Sequence, residues 1–350
     1  MDARTRPDNP PGAPKPIALA LQGGGAHGAF AWGILDRLLE DGRLAVEGVS
    51  ATSAGAMNAA VLSYGLLQGG PQGARVALAD FWRDIARAAE TASPFRKLPW
   101  ERFFNQGHTL ERSPMYFLTD MFLRLLSPYE FNPLNLNPLR EVLGRHVDFT
   151  ALRERCPVHL YLCATNVETG RIRIFPGEEI SIDVVLASAC LPFLFQAVQI
   201  NGEHYWDGGY VGNPAIFPLI YHCGTRDIVI AHINPIVRRG VPKTAPDILN
   251  RINEISFNSS LMREMRAIRF VTSLIQQGKI APGEMKEVLI HSIRSDDTMS
   301  ALGVSSKLNA DWDFLCYLRD KGREEADRWL GQCYGSIGEA SSVDLQAEFL

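Results

Sequence analysis

Apolar and polar positions along the chain switch repeatedly between two periods. Residues 17–21 form a short unbroken apolar burst that ends in glycines, the mark of a buried strand. From His27 the period lengthens. Phe30, Ile34, Leu35, Leu38 and Leu39 share one face and Asp36, Arg37 and Glu40 the other, which predicts a helix stopping at Asp41-Gly42. A second strand is predicted over 44–52. A helix rich in small residues follows, ending at Gly69-Gly70-Pro71, and an amphipathic helix covers 74–92. Further along, strands are predicted at 158–165 and 172–175, a helix at 183–189, a hairpin over 197–206 across Asn201-Gly202, and a strand at 227–233. From Asp247 the pattern turns mostly helical (248–257, 261–277, 312–330), with one more strand at 288–293. Strands alternating with helices predict an α/β fold with three layers: a mainly parallel central sheet with helices on both faces, plus a mostly helical C-terminal extension.

This pattern divides the chain. Residues 1–15 are polar and Pro-rich and read as a disordered leader; 16–240 carry the α/β pattern; 241–330 form the extension and 331–350 a tail. Residues 93–138 interrupt the α/β pattern with aromatics, an apolar segment from Met115 to Leu126, and an Asn/Pro-rich stretch. An insertion of this length reads as a lid that contacts lipid, with a helix buried in the core as the alternative.

Composition narrows the function classes. The 350 residues are 46% hydrophobic and 21% charged, with a net charge of -4 and no long basic run, which argues against nucleic acid as a partner. The six cysteines show no C-x-x-C spacing, and neither a metal site nor a disulfide framework is expected. No apolar run approaches the ~20 residues of a membrane span, and no signal-like segment precedes the first strand. The expectation is a cytoplasmic protein, at most peripheral at a membrane.

Three segments carry candidate chemistry. Gly23-Gly24-Gly25-Ala26-His27-Gly28 joins the first strand to the first helix. The N–H groups of such a helix start lack intrahelical partners and its dipole favours negative charge, so the loop is an anion cradle. Gly23, Gly25 and Gly28 also match dinucleotide spacing, but no acidic residue ends the next strand, and no Gly-Lys-Ser/Thr marks a P-loop. Ala51-Thr52-Ser53-Ala54-Gly55 sits where a strand meets a helix, the context of a nucleophile elbow; taken alone, Ser53 reads first as a helix N-cap. Asp207-Gly208-Gly209 follows a strand and by itself reads as a turn.

Together the three segments resemble the motifs of the patatin-like phospholipases, in the same order, and Ala187-Ser188-Ala189-Cys190-Leu191-Pro192 is similar to a further block of that family. The resemblance covers roughly residues 16–235. Two positions depart from the commonest pattern: Ala51 stands where glycine is usual, and His27 where arginine or lysine often sits. The resemblance implies a Ser53–Asp207 dyad that cleaves lipid or fatty-acyl esters without a cofactor, with Asp207 taking the proton directly or through water. It implies an oxyanion hole drawn from Gly23, Gly24, Gly25 and Ala26, supported by His27, Gly28, Gly55, Gly208 and Gly209. A Ser-His-Asp triad using His291, His222 or His232 is the competing arrangement. A non-catalytic acyl- or protein-binding relative, or a hydrolase of storage polyester, is the competing function. The sequence does not settle the oligomeric state.

Overall fold

The computed structural model describes residues 12–92, 126–281 and 283–350. Most of the expected leader, and residues 93–125 of the expected lid, lie outside the described residues.

The sheet strands are β1 (Lys15–Leu21), β2 (Leu44–Ala51), β3 (His159–Asn166), β4 (Ile172–Pro176), β5 (Val198–Ile200), β6 (Glu203–Asp207), β7 (Asp227–Ala231) and β8 (Leu289–Ile293). Their spatial order is β5-β6-β3-β2-β1-β7-β8, with β4 also pairing β3. The block β3-β2-β1-β7-β8 is parallel; β4, β5 and β6 pair antiparallel at one side. The central sheet is therefore mixed, with a parallel core, as the alternating pattern predicts.

The period of two in β1 assigns its two faces. Ile17, Leu19 and Leu21 join one core cluster, and Ala18 and Ala20 join the other. On the first face lie α1 (Gly28–Asp41), α2 (Ala54–Ala92), α3 (Ile182–Ser188) and, reaching back from the C-terminal region, the helix Trp312–Cys333. This last helix crosses α1 where glycines meet backbone: a Cβ on Gly33 would strike the Arg319 carbonyl, and one on Gly322 the Phe30 carbonyl. The second face is covered by Phe217–His222 and by a long helix, α4 (Ala245–Gln276).

Two departures from the sequence pattern are informative. The helices expected at 248–257 and 261–277 are one continuous helix, α4. The polar Asn258-Ser259-Ser260 between the two expected helices is part of α4; Asn258 and Ser260 are buried and bond to loops of the sheet. Conversely, α2 holds non-helical residues at Gly69 and Gly70, where the pattern predicts a break.

Candidate active site

Strand register brings the three motifs level with one another. Leu21 at the end of β1 pairs with Ala51 at the end of β2, and Ala51 pairs with Leu162 on β3. Two residues further along each strand, Gly23 and Ser53 leave the sheet edge. Ala164, also two residues on, pairs with Asp207 at the end of β6. The loop, the serine and the aspartate thus stand in one row across four neighbouring strands. A Cβ placed on Gly23 would lie 2.5 Å from the Ser53 Cβ, so only glycine permits this approach.

Ser53 occupies the two-residue turn, Thr52-Ser53, between β2 and α2 with φ 58°, a left-handed conformation rare for a residue with a Cβ. It is buried. Its N–H donates to Ser188 Oγ at 3.0 Å, and its carbonyl accepts from Ala56 and Met57, starting the helix. The strain is held by packing: Gly55 lies against the Leu21 and Gln22 carbonyls, where a Cβ would collide. Ala51 is a fully buried strand residue, and its methyl joins the first core cluster.

Asp207 is fully buried. Its N–H donates to the Cys190 carbonyl at 2.9 Å, and its own carbonyl accepts from Thr165 Oγ1 at 2.7 Å. Oδ1 accepts from the Gly209 N–H at 2.8 Å, while Oδ2 is buried without a hydrogen-bond partner among the described residues. Burial pushes the carboxyl pKa from 3.8 up to about 6, against the opposing pull of the Ser53 hydroxyl, the Gly209 N–H and the Lys307 ammonium. Gly208 and Gly209 abut the Cys163 carbonyl and the Phe257 ring, too tightly for side chains.

In the glycine loop, the Gly23 N–H is already taken by Asn213 Oδ1 at 2.7 Å. Gly24, Gly25 and Ala26 enter a 3₁₀ turn (Gly25–His27) that runs into α1, and N–H groups at such a start have no intrahelical acceptor. Gly25 has φ 60° and lies against the backbone carbonyl of Lys307. Gly28 opens α1, against Ala54 and Trp82. His27 is buried, its Nε2 2.7 Å from Ser306 Oγ; burial first and Lys307 second lower its pKa to about 3, so it is neutral.

Several residues of the site could not be read from sequence. Gln22 Oε1 accepts from the Ile233 and Asn234 N–H groups, and Asn234 Nδ2 donates to the Gly23 carbonyl at 2.8 Å. Lys307 Nζ donates to Asn234 Oδ1 at 3.0 Å, and burial, aided by Arg238, lowers its pKa to about 8 against the pull of Glu254 and Asp207. The loop is therefore clamped by a turn about 280 residues away (Val304–Leu308), through Ser306 and Lys307. Buried polar residues within apolar stretches were the available signal, but spacing did not say what they meet.

The three histidines of the triad alternative are engaged elsewhere. His291 Nε2 and Nδ1 contact Asp227 Oδ1 and Ser342 Oγ at 3.1 and 3.0 Å. His232 Nε2 lies 2.7 Å from the Asn234 carbonyl, and His222 stacks on Tyr161. Among the described residues no cluster of His, Cys, Asp and Glu could hold a metal ion, and no helix is long and apolar enough to cross a membrane.

A serine on a strained strand-to-helix turn, level with a glycine loop and a buried aspartate in a three-layer α/β sheet, defines a protein of the α/β serine-elbow class. The patatin-like phospholipase family model matches residues 19–220, and the chain belongs to that family of lipid acyl hydrolases. Among solved structures the chain is similar to VipD from Legionella pneumophila, at 16% identity over 89% of this chain and 68% of that one, with a TM-score of 0.35. It is also similar to ExoU in complex with SpcU from the type III secretion system of Pseudomonas aeruginosa, at 15% identity over 90% of this chain and 53% of that one, with a TM-score of 0.32. The chain thus spans roughly half to two-thirds of the length of these proteins. No curated protein matches it.

Proposed function

We propose that the protein is a serine hydrolase of lipid acyl esters, phospholipid or lysophospholipid, working through a Ser53–Asp207 dyad and an acyl-enzyme. The observation that carries this reading is the state of Asp207: fully buried at the end of β6, level with the Ser53 turn, with one oxygen fixed by Gly209 and the other without a hydrogen-bond partner among the described residues. A buried unpaired carboxylate oxygen is costly and is kept where it has a task.

Ser53 Oγ attacks the ester carbonyl carbon while its proton passes to Asp207, directly or through one water. The N–H groups of Gly24 and Gly25, with Ala26, receive the oxyanion, each donor being worth ~3–4 kcal/mol. The tetrahedral adduct collapses, and the leaving alcohol takes the proton back from Asp207. Water then enters, gives a proton to Asp207 and adds to the acyl carbon; Ser53 departs protonated and the fatty acid is released. A carboxylate near 3.9 is a weak base. A pKa of about 6 brings Asp207 closer to neutral pH, where proton transfer is more effective. Fixed geometry supplies a further ~7–11 kcal/mol at most. His27, neutral and bonded to Ser306, supports the loop rather than supplying charge.

The test is intact mass after a fluorophosphonate probe, with wild type beside Ser53→Ala and Asp207→Asn. One adduct on the wild type, absent in Ser53→Ala and strongly slowed in Asp207→Asn, is the expected result. No adduct on folded wild type refutes the dyad and returns the chain to the binding-scaffold reading. A screen of phospholipid, neutral glyceride and polyester substrates then fixes the substrate class.

A further inference from the structure

Leu261, Met265 and Ile268 in the second half of α4 are buried in the second core cluster, whereas the isoleucines of its first three turns are not. Ile248, Ile252 and Ile255 fall at i, i+4 and i+7, on one face, and all three are exposed, Ile252 by 55%. That stripe is ~10 Å long at 1.5 Å per residue. The loop leading into α4 adds Val237 and Val241, the latter 82% exposed. Loop and helix form one surface: Arg251 Nη2 donates to the Ile236 carbonyl at 3.1 Å, and Arg238 pairs with Glu254 at 2.6 Å. Such a patch of β-branched residues is not explained by ordinary surface exposure.

Its charge and position indicate what it meets. Between Ile236 and Ile255 there are four basic and two acidic side chains, within a chain of net charge -4. Glu254 is buried and paired with Arg238 and Arg251. Arg239 and Lys243 flank Val241 and, among the described residues, have no ion pair. The apolar stripe ends two residues before Phe257, whose ring packs on Gly209 beside Asp207 and against Tyr210 at 5.6 Å. Asn258 follows, bonded to Gln22 at the root of the glycine loop. α4 thus runs on from the patch into the candidate active site, carrying the stripe on one face and Phe257 on the opposite one.

We propose that the Val237–Lys243 loop and the Ile248–Ile255 face of α4 dock on an anionic lipid surface, seating the candidate active site at the bilayer interface. The valines and isoleucines enter the headgroup boundary, and Arg239 and Lys243 meet lipid phosphates. This rests on the lipid-ester reading for its purpose, but it is a separate binding event and can fail separately.

The test is flotation of the full chain, carrying Ser53→Ala so that lipid is not consumed, with vesicles of phosphatidylcholine alone or mixed with phosphatidylglycerol. Association with the mixed vesicles and much less with the neutral ones is expected. Each cation near the surface is worth ~1 kcal/mol, so Arg239→Ala and Lys243→Ala weaken binding by about fivefold apiece. Val241→Asp with Ile252→Asp abolishes flotation; both sites are exposed, and a thermal midpoint checks folding. Variants that float like their parent overturn the proposal, as does a parent that prefers neither vesicle. If the aspartate pair instead dissociates an oligomer in sedimentation and leaves flotation intact, the face joins copies of the chain and the lipid assignment is overturned. A probe adduct on wild-type Ser53 alongside failed flotation removes the docking surface and leaves the hydrolase reading standing.

Discussion

Replacing Asp207 by asparagine removes the charge and keeps the shape. The amide oxygen can still accept from the Gly209 N–H, which leaves the NH2 group in the buried place of Oδ2. That group donates a proton and accepts none, so Ser53 loses its base. A positioned general base contributes ~10²–10⁴-fold, and kcat/KM on a soluble ester is expected to fall by about that much. The acid limb of the wild-type profile, expected near the Asp207 pKa of about 6, disappears with it. Stability moves the other way. Because the folded pKa is raised, the folded protein binds this proton more tightly than the unfolded chain, so stability falls as pH climbs from about 4 to about 6. Above that window the full cost is present: roughly two pKa units at ~1.4 kcal/mol each, or up to ~3 kcal/mol. Asparagine avoids this cost. The variant is therefore expected to be nearly inactive and yet to melt several degrees higher at pH 7, with the gap closing by pH 4. Glu264, raised by burial to about 7, contributes a similar slope to both proteins and cancels in the comparison. The assays are kcat/KM against pH and thermal midpoints against pH for the two proteins. A variant that keeps activity within about tenfold and retains the limb near 6 refutes Asp207 as the base.

Three further outcomes follow from the geometry. Ser53→Gly relieves the left-handed φ of 58° and is expected to be inactive but more stable by ~1 kcal/mol in urea titration; no gain means the turn stores no strain. Gly25→Ala puts a methyl against the Lys307 carbonyl at φ 60°, costing at least ~1–2 kcal/mol, and is expected to lower the thermal midpoint and slow probe labelling together. Lys307→Met removes a positive charge that pulls the Asp207 pKa down and is expected to move the acid limb of kcat/KM to higher pH, with Lys307→Arg restoring it; an unmoved limb rules out the link.

Much of this protein is written locally. The apolar burst of β1, its period of two and the glycines after it specify a strand, a turn and a helix start, because each depends only on neighbours within a few residues. The same holds for the hairpin across Asn201-Gly202 and for the small residues around Ser53. Motif order was legible too, and with it the family. What the sequence left open is contact between distant residues. Nothing in spacing says that β6 pairs with β3, and that pairing is what sets Asp207 level with Ser53. Nor does any pattern reveal that Asn213 takes the Gly23 N–H, or that Ser306 and Lys307 brace the loop from the far end of the chain. A polar residue in an apolar stretch indicates that a buried partner exists; only the packing of strands and helices selects which one.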